Sequence, residues 1–286
     1  MAGAPVADAV SSHVAAGVAE MAAAGLGVGL GTILVGDDPA SAGYVRKKQE
    51  ACAAAGISSP HLHLPATASQ ADLVEAVERF NTDPGVDAFI LQNPLPAGLD
   101  FNEAMAALDP AKDADGLHPE NLGRLALGAP GPLPCTPAGV CALLAHYGVP
   151  VEGRHVVVVG RGPTLGRPLS ILLSLKRPGA NAAVTLVHTG VADWARFTRL
   201  ADIVVAGAGV PGIVTPDVVA PGAAVIGAGL SWEGRRVVSD VDEAVGAVAG
   251  WVTPRLGGVG PTTVAMLLRN ALDAARARWL RRGVTA

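Results

Sequence analysis

The stretch 155–168 constrains the fold of this chain more than any other. It contains four consecutive valines, followed by Gly160, Gly162 and Gly166. A run of β-branched residues is typical of a strand buried in a parallel sheet. Glycines directly after it permit a sharp turn and a close approach to a phosphate, at which the next helix points its N-terminal amides. The sequence therefore predicts a dinucleotide-binding turn, one residue longer than the usual spacing, with a helix beginning near Leu165.

The next predicted strand, 182–187, indicates which dinucleotide binds. An NAD site is expected to carry an acidic residue about 20 residues beyond the glycines, for the ribose 2′-hydroxyl. That place holds no Asp or Glu, and His188 and Thr189 end the strand, while Arg161 lies in the glycine loop. An isolated loop arginine is usually just solvated, but with the acid missing we favour a 2′-phosphate and hence NADP. The predicted cofactor-binding residues are Gly160, Arg161, Gly162, Gly166, His188 and Thr189.

Composition excludes several classes of function. The 286 residues suffice for two domains or one large one, and 50% are hydrophobic but only 3% aromatic, which predicts an aliphatic core. A net charge of −4 provides no basic surface for nucleic acid or for a membrane. The uncharged run 125–151 is broken by prolines, so it is not a membrane helix.

The N-terminus and the cysteines indicate the compartment. The first residues lack a basic segment followed by an apolar core, so no signal peptide is expected. The three cysteines, Cys52, Cys135 and Cys141, are odd in number and lack Cys-x-x-Cys spacing. This argues against a disulfide framework and against a zinc site. We expect buried thiols, no metal and a cytoplasmic location.

The remaining pattern alternates strands and helices, which predicts an α/β fold with parallel sheets. Ser41 is a plausible N-cap for the second helix and Thr136 for the helix before Tyr147, and 109–137 reads as irregular. The last helix should pack back on the first domain. The predicted strands are approximately 31–36, 61–64, 88–92, 156–159, 183–187, 202–206, 223–226 and 236–238, and the predicted helices 5–24, 39–55, 71–81, 102–108, 136–147 and 262–281.

Candidate chemistry in the rest of the chain is weak when each motif stands alone. Tyr44 and Lys48 lie four apart on one helix, where a lysine beside a phenol can transfer protons, although an exposed lysine is the plainer interpretation. Gln92 ends a strand, which is the usual place for a ligand contact or for a turn. Asp115 precedes a glycine and is either a binding carboxylate or a turn residue. The glycine-rich loop 257–261 is not a P-loop and could be a passive hinge.

Taken together and in this order, the motifs resemble the methylenetetrahydrofolate dehydrogenase/cyclohydrolase family. The resemblance covers nearly the whole chain. The matching runs are 35–41, 44–48, 92–96, 112–116, 134–137, 159–161, 201–206 and 257–261.

The resemblance implies a two-domain subunit. A folate-binding catalytic α/β domain, 1–143 together with 262–286, would face a Rossmann-type NADP-binding domain, 144–261, across a cleft that holds the folate. Family members are usually homodimers. The implied reaction is oxidation of 5,10-methylenetetrahydrofolate with NADP, followed by hydrolysis of the methenyl product to 10-formyltetrahydrofolate.

The resemblance also implies roles for individual residues. Lys48 matches the catalytic lysine, Gln92 would orient it, Tyr44 would border the folate rings and Asp115 would accept hydrogen bonds from the pterin. Arg161 would hold the 2′-phosphate. The implied catalytic residues are Lys48, Tyr44, Gln92 and Asp115, and the implied substrate-binding residues are Tyr44, Gln92, Asp115, Gly258 and Pro261.

The chain departs from the family pattern near these residues, which keeps two alternatives open. One is a divergent relative with a single activity, or a folate- and nucleotide-binding protein without turnover. The other is a different NADP enzyme of two-domain α/β architecture, of the shikimate dehydrogenase type, which leaves Gln92 and the 257–261 loop unexplained. The departures are Asn93, Gly162, Gly227, Arg255, Leu256 and Thr262.

Overall fold

The computed structural model of the chain describes residues 1–234, 236–281 and 283. These residues form two compact units. Among the described residues, the three-stranded unit comprises 8–124, 130–135, 264–281 and 283, and the five-stranded unit comprises 1–7, 125–129, 136–234 and 236–263. The domain limits at 143 and 262 stay a prediction, and residues 282 and 284–286 of the predicted first domain lie outside the described residues.

Strands and helices alternate over residues 4–107 and again over residues 135–206, as the pattern predicts. The strands are β1 (Leu30–Val35), β2 (His61–Leu64), β3 (Ala88–Leu91), β4 (His155–Val159), β5 (Ala183–Val187), β6 (Ile203–Ala206), β7 (Ala224–Gly227), β8 (Leu230–Glu233), β9 (Arg236–Ser239) and β10 (Trp251–Val252). The helices are α1 (Ala4–Ala23), α2 (Pro39–Ala54), α3 (Gln70–Thr82), α4 (Phe101–Ala107), α5 (Pro119–Ala126), α6 (Cys135–His146), α7 (Gly166–Ser174), α8 (Ala195–Thr198) and α9 (Val259–Arg281).

The three-stranded unit is built on a parallel sheet in the order β2-β1-β3. Every residue of β1 is buried, because this strand is paired on both sides and covered on both faces. The apolar face of α3 packs on the sheet, and Phe80 meets Phe89 edge to face with ring centroids 5.4 Å apart. Burial of an aromatic side chain of this size contributes about 1.5–3 kcal/mol. This packing holds the carboxyl ends of β1 and β3 in a fixed place.

The five-stranded unit is a parallel sheet in the order β10-β7-β6-β4-β5. The valines of β4 are buried, as expected for an interior strand of a parallel sheet. Aliphatic clusters cover both faces of the sheet, and α7 packs on one of them. The α/β fold class predicted from the sequence is confirmed.

Two predicted helix caps are wrong. The N-cap of α2 is Asp38, whose carboxylate accepts the Ser41 amide at 2.7 Å, because Pro39 takes the first helical position. Helix α6 already begins at Cys135, so Thr136 lies inside it rather than capping it.

Other boundaries also differ from the prediction. The region read as irregular contains α5, which begins with proline at its first position. The predicted strand 236–238 does not join the parallel sheet but pairs antiparallel with β8 as a hairpin. Helix α9 begins at Val259, three residues before the predicted start.

Candidate functional site

Lys48 and Gln92 meet in the three-stranded unit. Lys48 lies on α2, and Gln92 follows β3 directly and is buried. The Lys48 Nζ donates to the Gln92 Oε1 at 3.1 Å, while the Gln92 Nε2 donates to the carbonyl of Asn93 at 2.8 Å. The second bond fixes the amide so that its oxygen faces the lysine. The structure thus brings together two predicted residues that are 44 positions apart.

Tyr44 stands one turn before Lys48 on α2 and leaves its ring 52% exposed. The Nζ of Lys47, not of Lys48, lies over this ring, 5.9 Å from the centroid. An exposed aromatic ring next to a half-buried amine is available to a planar ligand. Tyr44 is therefore placed to contact a ligand rather than to pack in the core.

Asp115 sits in a short segment that extends the sheet of the three-stranded unit. Asp113 forms a parallel bridge with Phe89 of β3, and the Ala114 amide donates to the Phe89 carbonyl at 3.2 Å. On the other side, the Cys135 amide donates to the Asp115 carbonyl at 3.2 Å. The Asp115 backbone is thereby held between a strand and the start of α6.

Asp113 is a residue of this segment that the site prediction did not include. It is buried, and its carboxylate accepts the Gly116 amide at 2.9 Å, the His118 amide at 2.7 Å and the Asn121 Nδ2 at 2.9 Å. Three donors shape the turn that follows Asp115. A carboxylate two residues before Asp115 was visible in the sequence, but its direction toward backbone amides was not.

The electrostatics of the site depend on burial and on Lys48. Burial raises the pKa of the Asp115 carboxyl; the Lys48 ammonium partly opposes this, and the Asp113 charge adds to it. Burial also raises the pKa of the Cys135 thiol well above its ordinary value, so it stays protonated and donates to the Ala114 carbonyl at 3.2 Å. The arrangement provides an amine, an amide and a carboxyl that can exchange protons or hydrogen bonds with a ligand.

The glycine loop of the five-stranded unit has the conformation the sequence predicts. Gly160 has φ +113°, and a Cβ there would lie 2.3 Å from the Gly207 carbonyl oxygen. A Cβ on Gly166 would lie 1.9 Å from the Gly160 carbonyl oxygen. Gly162 has open space around it, so its lack of a side chain serves no packing purpose. Helix α7 follows at Gly166, one residue after the predicted start, with no side chain capping its first amides.

A cavity of about 560 Å³ opens over this loop. At the edge of the cavity, the Arg161 guanidinium donates to the His188 Nε2 at 3.5 Å. Among the described residues that line the cavity, none carries a carboxylate. Of the predicted cofactor-binding residues, Gly166 alone does not line the cavity. The lining residues are Val159, Gly160, Arg161, Gly162, His188, Thr189, Val191, Ala192, Trp194, Gly207, Ala208, Val210 and Ile213.

Asp240, after β9, is a second residue that the prediction missed. It is fully buried, and its Oδ2 accepts the amides of Ala208 at 2.6 Å and Gly209 at 2.9 Å. Ala208 lines the nucleotide cavity, so this carboxylate fixes one wall of it. In the sequence, Asp240 is only an acidic residue after a weakly predicted strand, and nothing there indicates which amides its carboxylate would bind.

Gly258 and Pro261, predicted to bind substrate, lie in the five-stranded unit, whereas Lys48, Gln92 and Asp115 lie in the three-stranded unit. A Cβ on Gly258 would lie 3.0 Å from the Cβ of Thr253. The position is therefore crowded and favours glycine.

The departures from the family pattern have local partners in this unit. The Arg255 guanidinium contacts a carboxylate oxygen of Glu243 at 3.2 Å and a backbone carbonyl. A Cβ on Gly227 would lie 2.7 Å from the Ser239 Oγ, so these two positions share one space. The Thr262 hydroxyl donates to the Val259 carbonyl at 2.7 Å and fills the space beside Gly139.

Two models of known protein-family domains match the chain. Residues 1–115 match the family model of the tetrahydrofolate dehydrogenase/cyclohydrolase catalytic domain, and residues 134–279 match that of its NAD(P)-binding domain. The chain belongs to this family. It is a methylenetetrahydrofolate dehydrogenase and methenyltetrahydrofolate cyclohydrolase that uses NADP, as the sequence predicted.

Individual relatives agree over the full length. The chain is 62% identical to the bifunctional protein FolD of Syntrophotalea carbinolica, over 97% of this chain and 96% of that one. It is 60% identical to FolD 1 of Salinispora tropica, over 96% and 90%. Among solved structures, the Trypanosoma brucei dehydrogenase-cyclohydrolase, complexed with NADP and an inhibitor, is 37% identical with a TM-score of 0.91, over 100% of this chain and 98% of that one.

A shikimate dehydrogenase of Thermus thermophilus is 14% identical with a TM-score of 0.52, over 87% of this chain and 99% of that one. At this identity the likeness concerns the fold alone. Within the described residues, no group of acidic, histidine and cysteine side chains could hold a metal ion. In the same part of the chain, no helix is long and apolar enough to cross a bilayer.

Proposed function

We propose that Lys48, Gln92, Asp115 and Tyr44 carry both steps of the reaction on the folate. The observation that carries this proposal is the Lys48 Nζ to Gln92 Oε1 hydrogen bond of 3.1 Å, in the unit that also holds Asp115. A fixed amine is the group that hydrolysis of a methenyl cation needs. Tyr44 borders the folate rings with its exposed face.

Lys48 moves the protons of the cyclohydrolase step. Water adds to the methenyl carbon and loses one proton, which leaves a hydroxyl on that carbon. The bond from that carbon to N5 then breaks as N5 gains a proton, and the hydroxyl loses its own proton to become the formyl C=O. The net products are 10-formyltetrahydrofolate and one proton. An amine that accepts the first proton and donates the second serves both events, and Gln92 holds it in place between them.

Asp115 accepts hydrogen bonds from the amino and ring N–H groups of the pterin. Its backbone is fixed on both sides, which limits how far the carboxyl can move. Bonds from ligand N–H groups to a carboxylate are among the stronger hydrogen bonds and favour its ionised form. Binding therefore counteracts the raised pKa that burial causes.

The nucleotide cavity fits NADP, which supplies the hydride acceptor when bound. Gly160 and Gly166 allow the backbone to approach the pyrophosphate, and the uncapped start of α7 directs amides at it. Arg161, His188 and Thr189 hold the 2′-phosphate. The glycine conformation, the cation in the glycine loop and the absence of a carboxylate among the described lining residues support this assignment.

Gly258 and Pro261 contribute the remaining folate contacts; Gly258 directly precedes α9, and Pro261 lies in its first turn. We further propose a homodimer in the cytoplasm, with small-molecule ligands and neither nucleic acid nor membrane as partner. The acidic net charge of −4 argues against nucleic acid and membrane partners, and three free cysteines support the cytoplasm. The homodimer rests on the family resemblance. The folate-binding domain 1–143 with 262–286 and the NADP domain 144–261 are proposed on the same resemblance.

The test uses purified protein with 5,10-methylenetetrahydrofolate and either NADP or NAD, following reduced nicotinamide, methenyl absorbance and 10-formyl product together. Lys48→Ala should lower hydrolysis of supplied methenyltetrahydrofolate by at least about 100-fold, the scale of general acid–base catalysis. Arg46→Ala, two residues before it on α2 and exposed, is the control and should keep full activity. Normal hydrolysis by Lys48→Ala would refute the assignment.

A further inference from the structure

We propose that Asn270, on α9, is a positioning residue that directs the Asp115 carboxylate by tying together the two backbone segments around it. This inference rests on the proposed role of Asp115 in binding the folate. Asn270 touches neither Lys48 nor Gln92 through any hydrogen bond in the described structure, so its effect must pass through the Asp115 segment.

The side-chain nitrogen of Asn270 contacts three groups. The residue is 6% exposed, and its Nδ2 donates to the carbonyls of Ala114 and Leu133, each at 2.9 Å. The Cys135 Sγ lies 3.5 Å from the same nitrogen. A side-chain amide has two N–H donors, so the two carbonyls occupy both of them.

The two carbonyls belong to segments on either side of the candidate carboxylate. Ala114 immediately precedes Asp115 in the chain. Leu133 packs against the residue after it, because a Cβ on Gly116 would lie 2.5 Å from the Leu133 carbonyl carbon. Asn270 therefore holds the segments at 114–116 and 133–135 in register through one planar group.

Cys135 reinforces the same junction. Its thiol donates to the Ala114 carbonyl at 3.2 Å, and its amide donates to the Asp115 carbonyl at 3.2 Å. The Ala114 carbonyl thus accepts from two side chains, Asn270 and Cys135. Without Asn270 this segment would keep its anchor at β3 and lose its tie to α9, so Asp115 could swing relative to the bound pterin.

A buried asparagine that binds carbonyls can also serve stability alone, so a matched control is needed. Asn81 lies at the end of α3 in the same unit, donates to the Ala107 carbonyl at 2.8 Å and accepts the Asp109 amide at 2.8 Å. It ties two backbone segments as Asn270 does, but neither segment adjoins Asp115. Asn81→Ala therefore measures how much stability and activity are lost when a comparable tie is removed away from Asp115.

The experiment measures kcat and KM for methenyltetrahydrofolate, KM for NADP and unfolding by denaturant. Asn270→Ala should lower folate kcat/KM by about 10- to 100-fold, the cost of a displaced binding group. The KM for NADP should stay within about twofold. Asn81→Ala should lose comparable stability and keep folate kcat/KM within about twofold. Asn270→Gln, which keeps both donors on a longer chain, should recover part of the loss.

Asp115→Asn, alone and combined with Asn270→Ala, separates this inference from the function on which it rests. If Asp115 acts as proposed, Asp115→Asn is impaired and Asn270→Ala adds little to it, because coupled residues are not additive. Impaired Asp115→Asn with unimpaired Asn270→Ala overturns the role of Asn270 only. Unimpaired Asp115→Asn overturns both proposals. Equal activity losses in Asn270→Ala and Asn81→Ala would reduce Asn270 to a structural residue.

Discussion

The two candidate regions of this enzyme differ in the groups that form them, which are side chains in one and mainly backbone in the other. The Lys48–Gln92–Asp115 region consists of polar side chains, in which Lys48 donates to Gln92 and the Gln92 amide is fixed by the Asn93 carbonyl. The nucleotide region consists mainly of backbone, with Gly160 and Gly166 clearing the space and one guanidinium at the edge.

The difference teaches where each region is vulnerable. A site made of side chains fails when a functional group is removed or turned. A site made of backbone fails when an atom is added, because a Cβ within 2–3 Å of a carbonyl forces the chain to move. Substitutions in the nucleotide region should therefore leave hydrolysis of supplied methenyltetrahydrofolate largely intact, whereas substitutions in the Lys48–Gln92–Asp115 region should impair both steps. Separate assays of the two half-reactions decide this.

The largest expected effect follows from adding one methyl group to the nucleotide region. Gly166→Ala places a Cβ 1.9 Å from the Gly160 carbonyl oxygen and must distort the turn. Overpacking costs about 1–3 kcal/mol, so the KM for NADP should rise by up to about 100-fold. Hydrolysis of supplied methenyltetrahydrofolate should persist. Steady-state assays of each half-reaction measure both.

Gly162→Ala provides the matched control, because nothing lies within 4 Å of a Cβ at that position. Its KM for NADP should change by no more than about threefold, since surface substitutions usually stay within about 0.5 kcal/mol. Equal damage from both alanines would mean that the loop binds through something other than close backbone approach.

An effect of similar size is expected from removing the cation at the edge of the cavity. Arg161→Ala should raise the KM for NADP by about 10- to 100-fold, because hydrogen bonds to charged groups contribute about 1.5–3 kcal/mol. The KM for NAD, which lacks the 2′-phosphate, should not change. Arg167→Ala, an exposed neighbour outside the cavity lining, should leave both values unaltered. A parallel rise for NAD and NADP would remove Arg161 from phosphate recognition.

The smallest effect concerns stability in the side-chain region. Burial raises the pKa of folded Asp115 above the ordinary value of about 3.9, so its ionised form weakens the folded state. Asp115→Asn should be more stable than the parent by an amount that grows as the pH rises from about 4 to the raised pKa and is constant above it. Denaturant unfolding of both proteins at pH 5 and pH 8 measures this difference.

Asp113→Asn is the natural contrast, because its carboxylate accepts three donors. That variant should be less stable than the parent at pH 8, as hydrogen bonds to charged groups contribute about 1.5–3 kcal/mol. A loss of stability in Asp115→Asn at pH 8 would contradict the burial argument and indicate an ionised partner in the folded state.

Local signals identified most elements of the fold. The valine run of β4, the apolar face of α3 and the glycines after β4 are short-range patterns, and the structure has each within a residue or two of its predicted place. Failures occurred where two local signals competed. Asp38 and Ser41 are both capping residues, and only the backbone shows that Asp38 caps α2. β10 has two residues, too few for any periodic pattern.

The sequence by itself determined the α/β class, the glycine turn and the identities of Lys48, Gln92 and Asp115, because each depends on neighbours in the chain or on recognisable motifs. Only the tertiary structure decided that the Lys48 amine reaches the Gln92 oxygen and that Asn270 holds the segment before Asp115. These contacts join positions 44 and 156 residues apart. Hydrogen bonds act over about 3 Å, so the packing of strands and helices, rather than order along the chain, selects the partners.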